Sequence, residues 1–231
     1  MLLWLFFMIP GILFALYAQW KVSSTYRKYS QVANMRSMTG LETARVLMRN
    51  EGIDIGVEQI PGDLTDHYDP RAKVMRLSAG SSERPSVASM AIVAHELGHA
   101  VQDKQGYLWL QLRGSIVGVA GFGSNFGWIL IFIGLIMGAM QVGSFGWTLA
   151  WAGVVLMGAA VAFSLITLPV EFNASSRARD MLMRNGLVTA EEAKGVNAML
   201  NAAALTYVAG AAQAVLQLLY WVMVLSGTQR N

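Results

Sequence analysis

Between Gly114 and Val170 the chain reads GSIVGVAGFGSNFGWILIFIGLIMGAMQVGSFGWTLAWAGVVLMGAAVAFSLITLPV, without one charged side chain. A bilayer core of about 30 Å is crossed by about 20 helical residues, so this run holds two spans. They are expected at 116–140 and 146–168, with a tight QVGSFG turn between them. Such a hairpin leaves one face of a membrane and returns to the same face. Whatever precedes Gly114 and whatever follows Val170 therefore share a side.

Working outward, Leu2 to Trp20 (LLWLFFMIPGILFALYAQW) is also free of charge. It lacks a basic leading segment and a small-residue cleavage site, so it is expected to be a retained anchor, kinked at Pro10. A fourth span is expected at 204–226, after a capping box at Thr189-Ala190-Glu191-Glu192. Of 231 residues 55% are hydrophobic and 13% charged, about half the charged share of a soluble domain. The expected fold is an α-helical membrane protein with about four transmembrane helices and a small α+β unit. The net charge of +3 sits in no long basic run, so there is no nucleic-acid footprint. Absence of cysteine excludes disulfides, thiolate-bound zinc and thiol catalysis. No Asp, Glu, Lys or Arg falls inside a span, which argues against a transporter or proton pump. Gly114, Gly118 and Gly121, at helical spacing, are expected to pack spans one, two and four closely.

Lys21 to Arg113 is the main polar region. TGLETARVLMRNEG predicts a helix capped by Thr39 and stopped at Gly52. Ile55–Ile60, LTDHYD and KVMRLS read as short strands, the last two joined by a turn at Asp69–Ala72. After Ser82–Pro85 a helix runs through SVASMAIVAHELGHAVQDK. A second charged, helix-like segment, EFNASSRARDMLMRNG, opens at Glu171. The expected division is thus a 2–20 anchor, a 21–113 α+β unit, a 114–170 hairpin, a 171–203 segment and a 204–226 span. Lys21, Arg27, Lys28, Arg113, Arg177, Arg179 and Arg184 flank the spans on one side, and by the positive-inside rule that side is cytoplasmic.

The motif helix carries AIVAHELGHAVQDK, Ala91 to Lys104. His95 and His99 stand one turn apart on one face, so both imidazoles can reach one zinc ion. Glu96 points beside them, where it can take a proton from water. Gly98 leaves room for a close neighbour. With Gln102 and Gln105 where a metzincin would have glycine and histidine, that class is excluded. Three candidates remain for the third ligand. His67 lies on or near a strand of the same unit and could reach, but reads first as a partly exposed turn histidine beside Tyr68 and Asp69. Asp103 lies too far along the helix axis to share a metal with His95. Glu171 is the best candidate, because the hairpin returns it to the side where the histidines wait, and a carboxylate at a membrane boundary calls for a partner charge.

HELGHA, a hydrophobic hairpin and EFNASSRA together resemble the YugP-type membrane zinc metallopeptidases. More distantly they are similar to the HtpX-like and CAAX-prenyl protease class, whose pattern is HExxH, a helical hairpin and E-F-x-A-D. The resemblance covers nearly the whole chain, including the leading anchor and LTDHYDPRAKVMRLS. It implies Zn2+ held by His95, His99 and Glu171, with Glu96 as catalytic base, in a bacterial cell membrane. It departs at Ser175, where the HtpX-like class has an aspartate. The carboxylate that commonly orients a zinc histidine is therefore missing there, and Asp180 or Asn173 are candidates to replace it.

The expected function is an integral-membrane zinc endopeptidase working at the cytoplasmic face, its small α+β unit a zincin-like cytoplasmic one. Its partners would be membrane-associated or unfolded polypeptides and the lipid bilayer. Tyr207, His67 and Arg177 are candidate donors to the oxyanion, and KVMRLS, if an edge strand, could hold substrate backbone. A site-2-type intramembrane protease is disfavoured, because Glu83, Arg84, Asp103 and Lys104 bracket the motif. The other alternative is a catalytically silent membrane adaptor with a structural metal or none, which would have no need of Glu96.

Overall fold

The computed structural model describes residues 2–140 and 144–228. In chain order these form α1 (Leu2–Tyr29), α2 (Gly40–Glu51), β1 (Gly56–Ile60), β2 (His67–Asp69) and β3 (Val74–Ser78). There follow α3 (Ala79–Ser82), α4 (Val87–Lys104), α5 (Leu108–Ala139), α6 (Phe145–Arg184) and α7 (Ala190–Thr228). The residues fall into two compact units. One gathers the chain up to Tyr17, Leu112–Leu168 and the residues from Tyr207 on; the other gathers Ala18–Gln111 and Pro169–Thr206. The QVGSFG turn falls in part outside the described residues, at 141–143.

The first unit is helical throughout. α1, α5, α6 and α7 are each long and apolar enough to cross a membrane, and each runs well beyond its expected span. α6 continues through Pro169 without a break, so the third span and the charged segment that opens at Glu171 belong to one helix. Proline at that point removes one helical hydrogen bond, a cost a tightly packed helix tolerates. α5 and α6 pack through glycine. A Cβ on Gly127 would lie 2.9 Å from the Gly153 carbonyl oxygen, and one on Gly134 would lie 2.5 Å from the Gly146 carbonyl oxygen. These backbones touch only because neither side chain exists. Gly114, Gly118 and Gly121 do not serve this purpose: a Cβ on any of them would meet nothing within 4 Å. The close glycine packing found joins spans two and three rather than spans one, two and four, and another set of glycines on α5 makes it.

The second unit wraps a three-stranded sheet and several helix segments around α4. Strand order is β1-β3-β2, with β1 parallel to β3 and β2 antiparallel to it. The strand within KVMRLS is therefore central rather than an edge, because both neighbours hydrogen-bond to it. α2 begins with a complete capping box between Thr39 and Glu42 and ends on Gly52 in the left-handed conformation, φ 62°, the geometry glycine adopts most readily. α4 starts from Ser86, whose hydroxyl accepts from the Ser89 amide while the Ser89 hydroxyl accepts from that of Ser86. Its residues from Val87 to Gln102 are buried except His95, which is half-buried. A helix enclosed on all sides has its rotation about its own axis fixed by packing. α7 begins from the expected Thr189–Glu192 box, and Glu192 also accepts the Met35 amide at 2.7 Å.

Candidate metal centre

His95 and His99 project from one face of α4, their ring centroids 4.8 Å apart and nearly perpendicular. Glu171, 1% exposed, comes from α6. Its Oε2 lies 3.2 Å from His95 Nε2 and 3.6 Å from His99 Nε2. Two ligands of a tetrahedral zinc ion, each at 2.0–2.1 Å, stand about 3.3 Å apart. The separations fit that ion, and the donor set of two imidazoles and a carboxylate is one zinc favours. Glu171 reaches so far because α4 and α6 touch. A Cβ on Gly98 would lie 2.6 Å from the Ala174 carbonyl oxygen, so any other residue there would push Glu171 away. Gly98 has the close neighbour its place in the motif predicted, and that neighbour is one helical turn past Glu171.

Each histidine is held at its other nitrogen. His99 Nδ1 is 3.0 Å from Gln102 Oε1, and His95 Nδ1 is 3.3 Å from Ser175 Oγ. With its proton on Nδ1, His99 donates to the Gln102 amide oxygen and turns its Nε2 lone pair toward Glu171. Gln102 has no freedom to flip. Its Nε2 donates to the Val170 carbonyl at 2.8 Å and to Asn173 Oδ1 at 3.0 Å. Arg177 Nε donates in turn to Asn173 Oδ1 at 2.7 Å. Burial by itself would lower the His99 pKa, but the hydrogen bond and charge of Glu171 outweigh it, with Glu96 adding, and the net shift is upward.

Gln102 is the functional residue that sequence reasoning passed over, except as evidence against a metzincin. It is completely buried, and a signal was present: a glutamine three residues after a candidate ligand, on the same face of an apolar helix. The residues at the Ser175 question also find their places. Ser175 itself contacts His95, Asn173 acts at one remove through Gln102, and Asp180 is exposed.

Of the other candidates, Glu96 is buried, 8% exposed, next to His95 on α4. His67 is exposed on β2, its Nδ1 2.9 Å from the Thr65 carbonyl. Asp103 accepts from the Tyr68 hydroxyl at 2.6 Å and pairs with Lys73. Neither belongs to the group that could hold a metal, which among the described residues is His95, His99 and Glu171. Arg177 is occupied by Asn173 and lies over the Tyr107 ring, 6.0 Å from its centroid. Tyr207 lies on α7 in the helical unit, 38% exposed.

A histidine pair on a buried helix, closed by a carboxylate across a glycine contact, with four membrane-capable helices among the described residues, is the arrangement of a membrane zinc metallopeptidase. Comparison with known proteins agrees. Residues 4–226 match the family described as "Putative neutral zinc metallopeptidase". Over 232 residues, the whole length of both chains, the sequence is 41% identical to the "Putative membrane protease YugP" of Bacillus subtilis (strain 168). No solved structure matches. The chain belongs to this family of zinc metallopeptidases, and zinc is its cofactor.

Proposed function

We propose that the chain is an integral-membrane endopeptidase that hydrolyses peptide bonds of membrane-associated or unfolded proteins at the cytoplasmic face. The observation that carries this reading is Glu171 Oε2 placed between the Nε2 atoms of His95 and His99, with Glu96 buried beside them. His95, His99 and Glu171 would hold the zinc ion. Bound there, zinc supplies Lewis-acid chemistry, polarising a carbonyl and acidifying water. Glu96 takes the proton from the attacking water and passes it to the leaving amine, so the base that starts the reaction also completes it. Gln102 and Ser175 keep both imidazoles in the tautomer that offers Nε2. Tyr207 is the candidate donor to the oxyanion. In this reading the zinc ligands and the base belong to the 21–113 and 171–203 segments, and the 204–226 span contributes Tyr207 besides its part in the anchor.

Glu96→Gln tests the role of the chain as an enzyme. General-base loss is expected to lower turnover of an unfolded reporter polypeptide about 10²–10⁴-fold while zinc content stays unchanged. Equal degradation by wild type and variant would sink the endopeptidase and favour a silent adaptor. Tyr207→Phe is expected to lower kcat about 10²-fold with bound zinc unaltered; unchanged kcat would remove Tyr207 from the reaction. The chain has no cysteine, so sidedness is directly measurable. A cysteine placed at Ser30 should resist an impermeant thiol reagent in intact cells, and labelling there would put the unit on the opposite face.

A further inference from the structure

On α1, Lys21, Thr25, Lys28 and Tyr29 recur at helical spacing, and on α7 Ala198, Asn201, Ala202 and Leu205 do the same. Together they line a cavity of about 420 Å³ that is remote in sequence from the histidine motif. Its lining has no carboxylate. Thr25 is buried, 8% exposed, while both lysines are exposed. Among the described residues no ion pair joins either lysine, and Lys28 lies over the Tyr29 ring, 5.1 Å from its centroid.

A second observation points the same way. Arg179 Nη2 donates to Asn201 Oδ1 at 2.6 Å. That bond takes up the amide oxygen of Asn201 and leaves its amino group as the free donor. Two lysines lining one cavity without a counter-charge repel one another, and an anion between them removes that cost.

The place of the cavity along its helices selects the kind of anion. Lys21 follows directly on Trp20, the last residue of the charge-free run, and Leu205 stands at the opening of the apolar run of α7. This is the depth at which a helix passes from hydrocarbon to headgroups, where anionic lipids attract basic side chains. We propose that the cavity binds the phosphate of an anionic phospholipid. Lys21 and Lys28 neutralise its charge, the Thr25 hydroxyl and Asn201 amino group donate to its oxygens, and Ala198, Ala202 and Leu205 cover the apolar start of the glycerol backbone. A free phosphate ion would satisfy the cations but would gain nothing from that apolar end.

The proposal does not depend on peptide hydrolysis. It is tested on the purified full chain by native mass spectrometry, titrating with phosphatidylglycerol, phosphatidylcholine or inorganic phosphate. Wild type should hold phosphatidylglycerol at least about tenfold more tightly than phosphatidylcholine, since the two share apolar chains and differ in net charge. The double variant Lys21→Gln, Lys28→Gln should weaken phosphatidylglycerol about thirtyfold, and Lys21→Arg, Lys28→Arg should retain it. Asn201→Ala gives a separate route, with an expected loss of about threefold to tenfold. Zinc content reports whether each variant is folded. Equal binding by the glutamine variant, indifference between the two lipids, or displacement of phosphatidylglycerol by equimolar inorganic phosphate would each overturn the assignment.

Discussion

The two units differ in where most of their defining polar side chains find partners. In the helical unit Ser124, Thr148, Ser164 and Thr167 each donate back to the carbonyl four residues earlier on the same helix. Those bonds hide a hydroxyl from lipid but relate no helix to another; Gln213, which donates to Met8 Sδ at 3.7 Å, is an exception. In the other unit the bonds run between elements. Gln102 ties α4 to Val170 and Asn173 of α6, Tyr68 ties β2 to Asp103, and Asp66 gathers Ser78 and Ser81. A membrane helix needs only to be free of unpaired groups, whereas a metal centre needs its ligands at fixed separations. Long-range hydrogen bonds supply that constraint where apolar packing alone would leave rotamers open.

The sharpest way to break this contrast is to remove the bond at His99. Gln102→Leu is expected to weaken zinc about 10–100-fold, as measured by competition with a chelator. Gln102→Glu, which can still accept from Nδ1, should recover most of it. Ser164→Ala in the helical unit should leave zinc affinity unchanged, and an equal loss there would dissolve the distinction between the units.

Next in size are the glycine contacts. Gly98→Ala forces a methyl against the Ala174 carbonyl and Gly134→Ala forces one against Gly146, so each is expected to cost about 1–3 kcal/mol in thermal or denaturant unfolding. Only Gly98→Ala should also reduce zinc content, because only that contact sets the reach of Glu171. Gly118→Ala meets open space and should stabilise α5 by about 0.5–1 kcal/mol through helix propensity. Loss of stability there would mean that the face is covered.

The smallest effect is electrostatic. Arg76 and the amides of Ala72 and Arg71 hold the Asp69 carboxyl below its ordinary 3.8, at about 2. A depressed carboxylate stabilises the fold above its unfolded pKa, and that contribution fades as pH falls from 3.8 toward about 2. Hydrogen exchange at the β2–β3 pair should therefore accelerate across that window in wild type. In Asp69→Asn that dependence should be absent.

Much of this was legible because it is local. Thr39 with Glu42, Thr189 with Glu192, Gly52 and the Ser86–Lys104 helix are decided by residues within a few positions of one another, and each stands where its sequence placed it. The approach of Glu171 to the histidines was legible for a different reason, since a charge-free hairpin leaves few ways to return. Sheet order was not, because which strand lies in the middle depends on pairings between distant segments. Nor was the packing face of α5. Apolar on every side, it carries two glycine series, and only the partner helix decides that Gly127 and Gly134 are used while Gly114 and Gly118 are not. Gln102 was hidden by its chemistry: an amide takes the place at the ligand histidine where a carboxylate is the usual mark.

The central claim is that one zinc ion is shared by two helices that a membrane hairpin separates in sequence. Metal content per chain in mild detergent, wild type against Glu171→Ala, tests it most directly. The account predicts close to one zinc per wild-type chain and a clear loss in the variant. Stoichiometric zinc in both proteins would contradict it, because His95 and His99 would then be completed by some other side chain.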